Sequence, residues 1–184
     1  MGMIPRIAVL VLAVGINGSH AQDWVVNFNN NVVTDPNHFI EFWGSGPRVT
    51  GTNFQAVLLY GTSPSSLTPH THYARFRVST TSVPGTWQGG NRTLTGMGNT
   101  PGTVITMRVD VFDILQFANY AAAAAGGGIL GSSPLFTYTI PAPPLAPDAT
   151  DLQNFRAFSM VPEPSAIGLG LVGAAALFMA RRRK

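Results

Sequence analysis

The sequence contains no cysteine and few charged residues, and both shortages narrow the classes of protein that it can encode. Among its 184 residues there is no Cys, and only 10% of the residues are charged. The lack of Cys excludes disulfide bonds, thiol catalysis and Cys-ligated zinc. Many small exported domains rely on disulfides. Without Cys, a folded domain in this chain must instead be held by strand pairing and apolar burial.

Basic residues are scarce between the two ends of the chain. The formal net charge of +3 and the isoelectric point near 9.8 come from Arg6 and from a basic cluster over residues 181–184. Residues 22–160 contain six Arg, no Lys, six Asp and one Glu, which gives a formal charge of −1. Nucleic-acid binding depends on clusters of Lys and Arg that face phosphates, so we expect no nucleic-acid partner.

Glycine and proline are plentiful instead, and they are scattered among apolar runs. The chain has 20 Gly and 14 Pro, and 45% of its residues are hydrophobic. This mixture favours a folded domain with many turns between strands over disorder. Once both ends are set aside, the remaining length suits one core and is too short for two.

The N-terminal residues have the three parts of a signal peptide in the expected order. One positive charge at Arg6 precedes an apolar stretch over 7–16, and a small-x-small motif ends at Ala21. We therefore predict that a signal peptide (1–21) directs export through the Sec translocon and is cut between Ala21 and Gln22. The alternative is a buried first strand of the domain.

The C-terminal residues also have three parts in order. A proline-rich box over 161–165 holds the backbone extended, because two prolines two residues apart cannot both lie inside a helix. An apolar segment over 166–180 follows, predicted as a transmembrane helix about 22 Å long, short against about 30 Å of bilayer hydrocarbon. The positive-inside rule keeps the basic tail over 181–184 in the cytoplasm. The box and the tail consist of Val161, Pro162, Glu163, Pro164 and Ser165, and of Arg181, Arg182, Arg183 and Lys184.

This combination resembles the sorting signal of the PEP-CTERM family of exosortase substrates. The resemblance covers 161–184 and implies processing near the box by an exosortase, a membrane-embedded cysteine-type protease or transpeptidase. It also implies transient contact with membrane lipid, an inner-membrane-anchored precursor, and then a place in the cell envelope, on the surface or in a biofilm matrix with exopolysaccharide. In the family the box is a substrate signal and is not catalytic. An ordinary single-pass anchor on a proline-rich stalk is the alternative.

Period-two alternation in the middle of the chain predicts half-buried antiparallel strands. The clearest run is 104–112, in which every second residue from Ile105 to Val111 is apolar. Other strands are predicted at 24–28, 54–60, 73–79, 135–140 and 155–160, and turns are predicted between them, including 44–47, 88–91 and 99–102. Residues 22–160 are therefore predicted to form an extracytoplasmic antiparallel β-sandwich in a mainly β fold.

An Ala-rich stretch over 114–125 is the one helical prospect between the two ends. It is either a short helix that Gly126 to Gly128 would stop, or a loop with one helical turn. The middle domain is also similar to the lone domain of PEP-CTERM proteins of the verrucomicrobial type, which implies a β fold and the same destination. The residues that carry this similarity lie in 51–56, 59–61, 85–87 and 131–137, with Arg92 and Val109.

Two constellations could carry chemistry, and each has a structural alternative. His70 and His72 have ligand-like spacing for one metal ion, but they follow a loop signal, and a closed site needs about four ligands. Asp110 and Asp113 are the nearest approach to a carboxylate pair, although Asp110 lies beside Arg108 on a predicted strand and Asp113 can end that strand or cap a helix. We expect no metal, no cofactor and no catalytic activity.

Aromatic side chains are the remaining candidates for a binding surface. Stacking on sugar rings would make the domain a carbohydrate-binding module for exopolysaccharide, whereas burial would make the same side chains part of the core. The candidates are Trp24, Trp43, Trp87, Tyr60 and Tyr73.

Overall fold

The structure, a computed structural model, describes residues 23–30, 38–43, 46–78, 83–142, 150–152 and 154–161. The predicted signal peptide, the Ala21–Gln22 cleavage site, the apolar segment and the basic tail lie outside the described residues, as does the box from Pro162 to Ser165. Within the described part of the chain, no helix has the length and apolarity needed to cross a membrane.

The described residues form short strands and one short helix, as the mainly β prediction requires. The strands are β1 (Val25–Asn29), β2 (Glu41–Phe42), β3 (Phe54–Gly61), β4 (Thr68–Pro69), β5 (Ala74–Arg75), β6 (Gln88–Thr93), β7 (Val104–Asp113), β8 (Ile129–Ser132), β9 (Phe136–Thr139), β10 (Thr150–Asp151) and β11 (Ser159–Met160), and the helix is α1 (Tyr120–Gly126).

The longest strand, β7, organises the largest sheet. It pairs along its length with β3, and on its other side it pairs with β9 near its start and with β8 near its end. Strands β4 and β5 extend the sheet beyond β3. A second sheet has the order β10-β1-β6, and β2 pairs with β11. The predicted antiparallel pairing holds throughout the large sheet and for β1 with β6, whereas the two short pairs β1–β10 and β2–β11 are parallel.

One core lies between the large sheet and the sheet that contains β1. Ile105, Met107, Val109 and Val111 of β7 point into it, as the alternation predicted, and all four are fully buried. They share this core with Val26, Phe28 and other residues of the second sheet. The opposite face of β7 carries Phe112, which packs with Tyr120 and Ala123 of α1.

The helix is shorter than the Ala-rich stretch and begins later. Asn119 caps it by accepting a hydrogen bond from the Ala122 N–H at 2.9 Å, and Gly127 ends it with a φ of 74°. A side chain at Gly128 would collide with the ring of Phe117, so the glycines stop the helix and also admit this ring. Of the two alternatives for Asp113, the structure shows the first, since Asp113 ends β7 and the helix cap is Asn119.

A buried amide joins three segments that are distant in sequence. The Asn30 side chain, 1% exposed, donates to the carbonyl oxygens of His38 and Gly85 at 2.8 and 3.0 Å. Its Oδ1 accepts from the Trp87 N–H at 2.6 Å. Because all three partners are backbone groups, this one residue fixes the end of β1 against a loop and a turn.

The two ends of the described chain leave the core at opposite ends of β7. Trp24 donates its indole N–H to the Tyr138 hydroxyl at 2.8 Å, and Tyr138 pairs with Ile105 near the start of β7. At the other end, the Val161 N–H donates to the Leu130 carbonyl at 2.8 Å, next to the β8 residues that pair with the end of β7.

Candidate functional site

Met160 is the last buried residue in the described part of the chain, and the proline-rich box begins at the next position. Met160 lies in β11, which pairs in parallel with β2 through Met160 and Phe42. Its side chain is fully buried, whereas the Val161 side chain is 61% exposed. The folded domain therefore ends in a hydrogen-bonded strand, and residues 161–165 follow with no described linker between them.

Trp43 lies beside this exit. Its N–H donates to the Met160 carbonyl at 3.0 Å, and its side chain is 64% exposed. Its φ is 55°, a conformation that is rare for a residue other than glycine. The Gly46 N–H closes the turn onto the Phe42 carbonyl at 2.7 Å. The turn therefore presents the ring of Trp43 to the surroundings at the point where the chain leaves the core.

The other two tryptophans do not form a stacking surface. Trp87 is fully buried and its ring contacts those of Phe28, Phe76 and Phe155. Trp24 is also buried, with its indole N–H bonded to Tyr138. Sugar stacking needs an open ring face, so the prediction of sugar stacking was wrong for Trp24 and Trp87. Trp43 is exposed and remains a candidate. Tyr60 is buried and Tyr73 packs edge-on against Phe112.

His70 and His72 come together but bond to each other. Their ring centroids are 5.6 Å apart, and the backbone N–H of His72 donates to Nδ1 of His70 at 3.0 Å. Burial, then the charges of Arg92 and His72, lower the pKa of His70. Among the described residues, no group of three or more His, Asp or Glu side chains could hold a metal ion.

Asp110 belongs to a buried polar network on the outer face of β7. Its Oδ2 accepts from Nη2 of Arg108 at 2.8 Å and from the Tyr120 hydroxyl at 2.7 Å. Burial, aided by the hydrogen bond to Asp110, raises the pKa of Tyr120 to about 12. Burial by itself lowers the pKa of Arg108, but the hydrogen bond and the charge of Asp110 outweigh it and raise that pKa.

Asp113 does not face Asp110. The two residues are three apart on a regularly paired strand, so their side chains point to opposite faces of the sheet. Oδ1 of Asp113 accepts from the Leu115 N–H at 2.8 Å and shapes the turn after β7. This arrangement does not provide two carboxylates on either side of one substrate.

An open pocket of about 390 Å³ lies beside β9. Sequence reasoning did not identify it, because its residues come from two segments that only the fold brings together. The Asn154 side-chain amide donates to the Thr137 carbonyl at 3.0 Å and joins the two segments. The lining residues are Pro134, Leu135, Phe136, Thr137, Asn154 and Arg156.

Taken together, the fold is a β-rich domain whose final strand leads directly into a short C-terminal signal. The family model described as the PEP-CTERM protein-sorting motif matches residues 161–184. The chain therefore carries a PEP-CTERM sorting motif, and this motif indicates an exported protein with an exosortase as its processing partner. Comparison with curated proteins and with solved structures gives no match.

Proposed function

We propose that this chain is a non-enzymatic envelope or matrix protein that an exosortase sorts and cuts near residues 161–165. The observation that carries the proposal is the sorting motif, which matches 161–184 and begins directly after the buried Met160. The apolar segment would hold the precursor in the inner membrane, with the domain outside and the basic tail in the cytoplasm. Cutting would then free the domain for the surface or the matrix.

The two carboxylates considered for acid–base chemistry, Asp110 and Asp113, have structural partners, which supports a role without catalysis. Asp110 is engaged with Arg108 and Tyr120, and the Asp113 carboxylate accepts a backbone hydrogen bond in a turn. General acid–base catalysis needs a group within reach of a substrate proton, and the buried Oδ2 of Asp110 already has two donors.

Expression of the full chain with and without its cognate exosortase tests the proposal. With the enzyme, we expect a product that lacks Arg181 to Lys184 and leaves the membrane fraction. Without the enzyme, we expect an intact chain that stays in the membrane fraction. Mass spectrometry of the C-terminal peptide and membrane fractionation measure both results, and identical products in the two hosts would contradict the proposal.

A carbohydrate-binding role is the second candidate, and the pocket beside β9 favours it. Arg156 and Thr137 offer polar groups there, next to an exposed Leu135. Sugar sites commonly combine a few polar groups with an apolar wall, and a guanidinium suits an acidic sugar. The mature protein should bind an acidic polysaccharide on a glycan array, and Arg156→Ala should weaken that binding about tenfold, the effect of losing a charged hydrogen bond. No binding to any extracellular polysaccharide would discard this role.

A further inference from the structure

Two exposed apolar side chains lie where the chain leaves the domain. Trp43 and Val161 flank Met160, and both are more than 60% exposed. The end of β7 lies near this exit, because Asp113 pairs with Phe54 and the ring of Phe54 lies 5.7 Å from that of Phe42. Leu115, which follows the end of β7, is also highly exposed. Tryptophan is on average a well-buried residue type, so the exposure of Trp43 at this end of the fold is unusual.

Several contacts of the flanking residues hold Trp43 in place. Glu41 and Arg48 pair across it, and the Phe42 N–H donates to the Pro47 carbonyl at 3.0 Å. A side chain at Gly46 would collide with the Phe42 carbonyl, so the turn requires glycine there. The ring of Phe42 supports Trp43 at a centroid distance of 5.8 Å. A strained φ held in place by several contacts is a feature found at functional positions.

The length of the segment after Met160 indicates what the exposed side chains of Trp43 and Val161 contact. Five residues, 161–165, separate Met160 from the apolar segment, and the six extended steps from Met160 to that segment span at most about 22 Å. While the apolar segment lies in a bilayer, Met160 therefore stays within this reach of the membrane. Trp43 stays near the membrane too, because its backbone is hydrogen-bonded to Met160. Tryptophan is enriched at the headgroup level of membranes, where its ring meets both apolar and wet surroundings.

We propose that Trp43, with Val161, docks into the headgroup region of the bilayer and holds the anchored precursor with the end of β7 toward the membrane. This inference rests on the proposed function, which supplies the membrane anchor. Arg48 and Glu41 are cross-strand neighbours of opposite charge. The docking therefore depends on the apolar side chains and not on an attraction to anionic lipid.

Fluorescence quenching by brominated lipid tests the docking. The full chain is reconstituted in phosphatidylcholine vesicles with brominated or ordinary acyl chains, and co-sedimentation verifies anchoring. We expect brominated lipid to lower the tryptophan emission of the natural chain. Trp43→Phe should remove that loss, because Trp24 and Trp87 lie in the core.

A tryptophan at the far end of the domain serves as the matched control. Val104 is 53% exposed and begins β7, nine residues before Asp113, which places it about 30 Å from the docking end. Val104→Trp in the Trp43→Phe background should show no quenching. Equal quenching at this position would overturn the orientation.

The remaining outcomes separate this inference from the proposed function. An anchored chain whose Trp43 emission does not change would overturn the docking and leave sorting intact. If Trp43→Ala slowed exosortase cutting while quenching was absent, Trp43 would contact the enzyme, and bilayer docking would again be wrong. A chain that fails to co-sediment with vesicles would count against the membrane anchor and the docking together.

Discussion

Replacement of Pro162, Glu163 and Pro164 by alanine should abolish exosortase cutting and leave the whole precursor in the membrane fraction. The two prolines prevent helix formation next to the apolar segment, whereas alanine is the best helix former and would let that helix grow toward Met160. A protease that binds its substrate in an extended form would then find no extended backbone. Mass spectrometry of the C-terminal peptide measures the loss.

The single variant Glu163→Gln separates the charge from the backbone, because it keeps both prolines. Partial cutting of this variant would assign the larger share of recognition to the extended backbone, and no cutting would assign it to the carboxylate. If the triple alanine variant were cut at the natural rate, the box would not be the processing signal.

Asp110→Ala should lower the free energy of unfolding by about 2–4 kcal/mol. The substitution removes the partner of the Arg108 guanidinium and of the buried Tyr120 hydroxyl at once. Breaking a fully buried ion pair costs about 3–5 kcal/mol, and the partly exposed Arg108 side chain reduces that figure because water can solvate it. Chemical denaturation of the purified protein measures the change.

Asp113→Ala is the matched control, because it removes a carboxylate three residues away that accepts one backbone hydrogen bond. We expect a loss of about 1 kcal/mol for it, typical of a single hydrogen bond. Equal losses for the two variants would show that the Asp110 network adds nothing beyond an ordinary turn contact.

The alkaline behaviour of Tyr120 gives an independent measure of the same network. Its pKa rises from 10 to about 12 in the folded protein, so the folded state keeps this proton longer than the unfolded state does. The stabilisation is complete below pH 10 and is lost as the pH rises toward 12. Ultraviolet titration should therefore show a late tyrosinate that is absent from Tyr120→Phe, and a titration with no such late component would argue against the network.

The strands with a strong alternating pattern were predictable from the sequence. The predicted strand 104–112 differs from β7 (Val104–Asp113) by one residue, and its four apolar positions are all buried. The pattern succeeds because one face of β7 meets a core built from both sheets. It could not show that Asp110, on the other face, is also buried, because alternation along β7 carries no information on α1, which folds back over that face.

Strand β6 was predicted as a turn because of Gly89, Gly90 and Asn91, and this prediction was wrong. Gly89 is there for close packing, since a side chain at this position would lie 2.5 Å from the Phe28 carbonyl and 2.7 Å from its ring. Such an approach is a known use of glycine inside a strand. The residues around Gly89 do not reveal this close contact, because its partner Phe28 lies on β1, which is distant in sequence.

The terminal signals and the middle domain differ in how far their sequence reveals their role. The motif over 161–184 is a linear pattern, so it can be recognised from the sequence without knowledge of the fold, and the family comparison confirms it. The signal peptide stays a prediction. The three tryptophans are equivalent by composition, yet Trp43 alone among them is exposed, and only the pairing of β2 with β11 places it beside the exit.

The Asn30 side chain makes the kind of long-range connection that many exported domains obtain from a disulfide bond. It links β1 to the His38 loop and to the Gly85 turn with no chemical step after folding. The domain consequently needs neither an oxidising compartment nor an oxidase or isomerase to complete its maturation. Cells that grow without oxygen can therefore assemble it as readily as cells that grow in air.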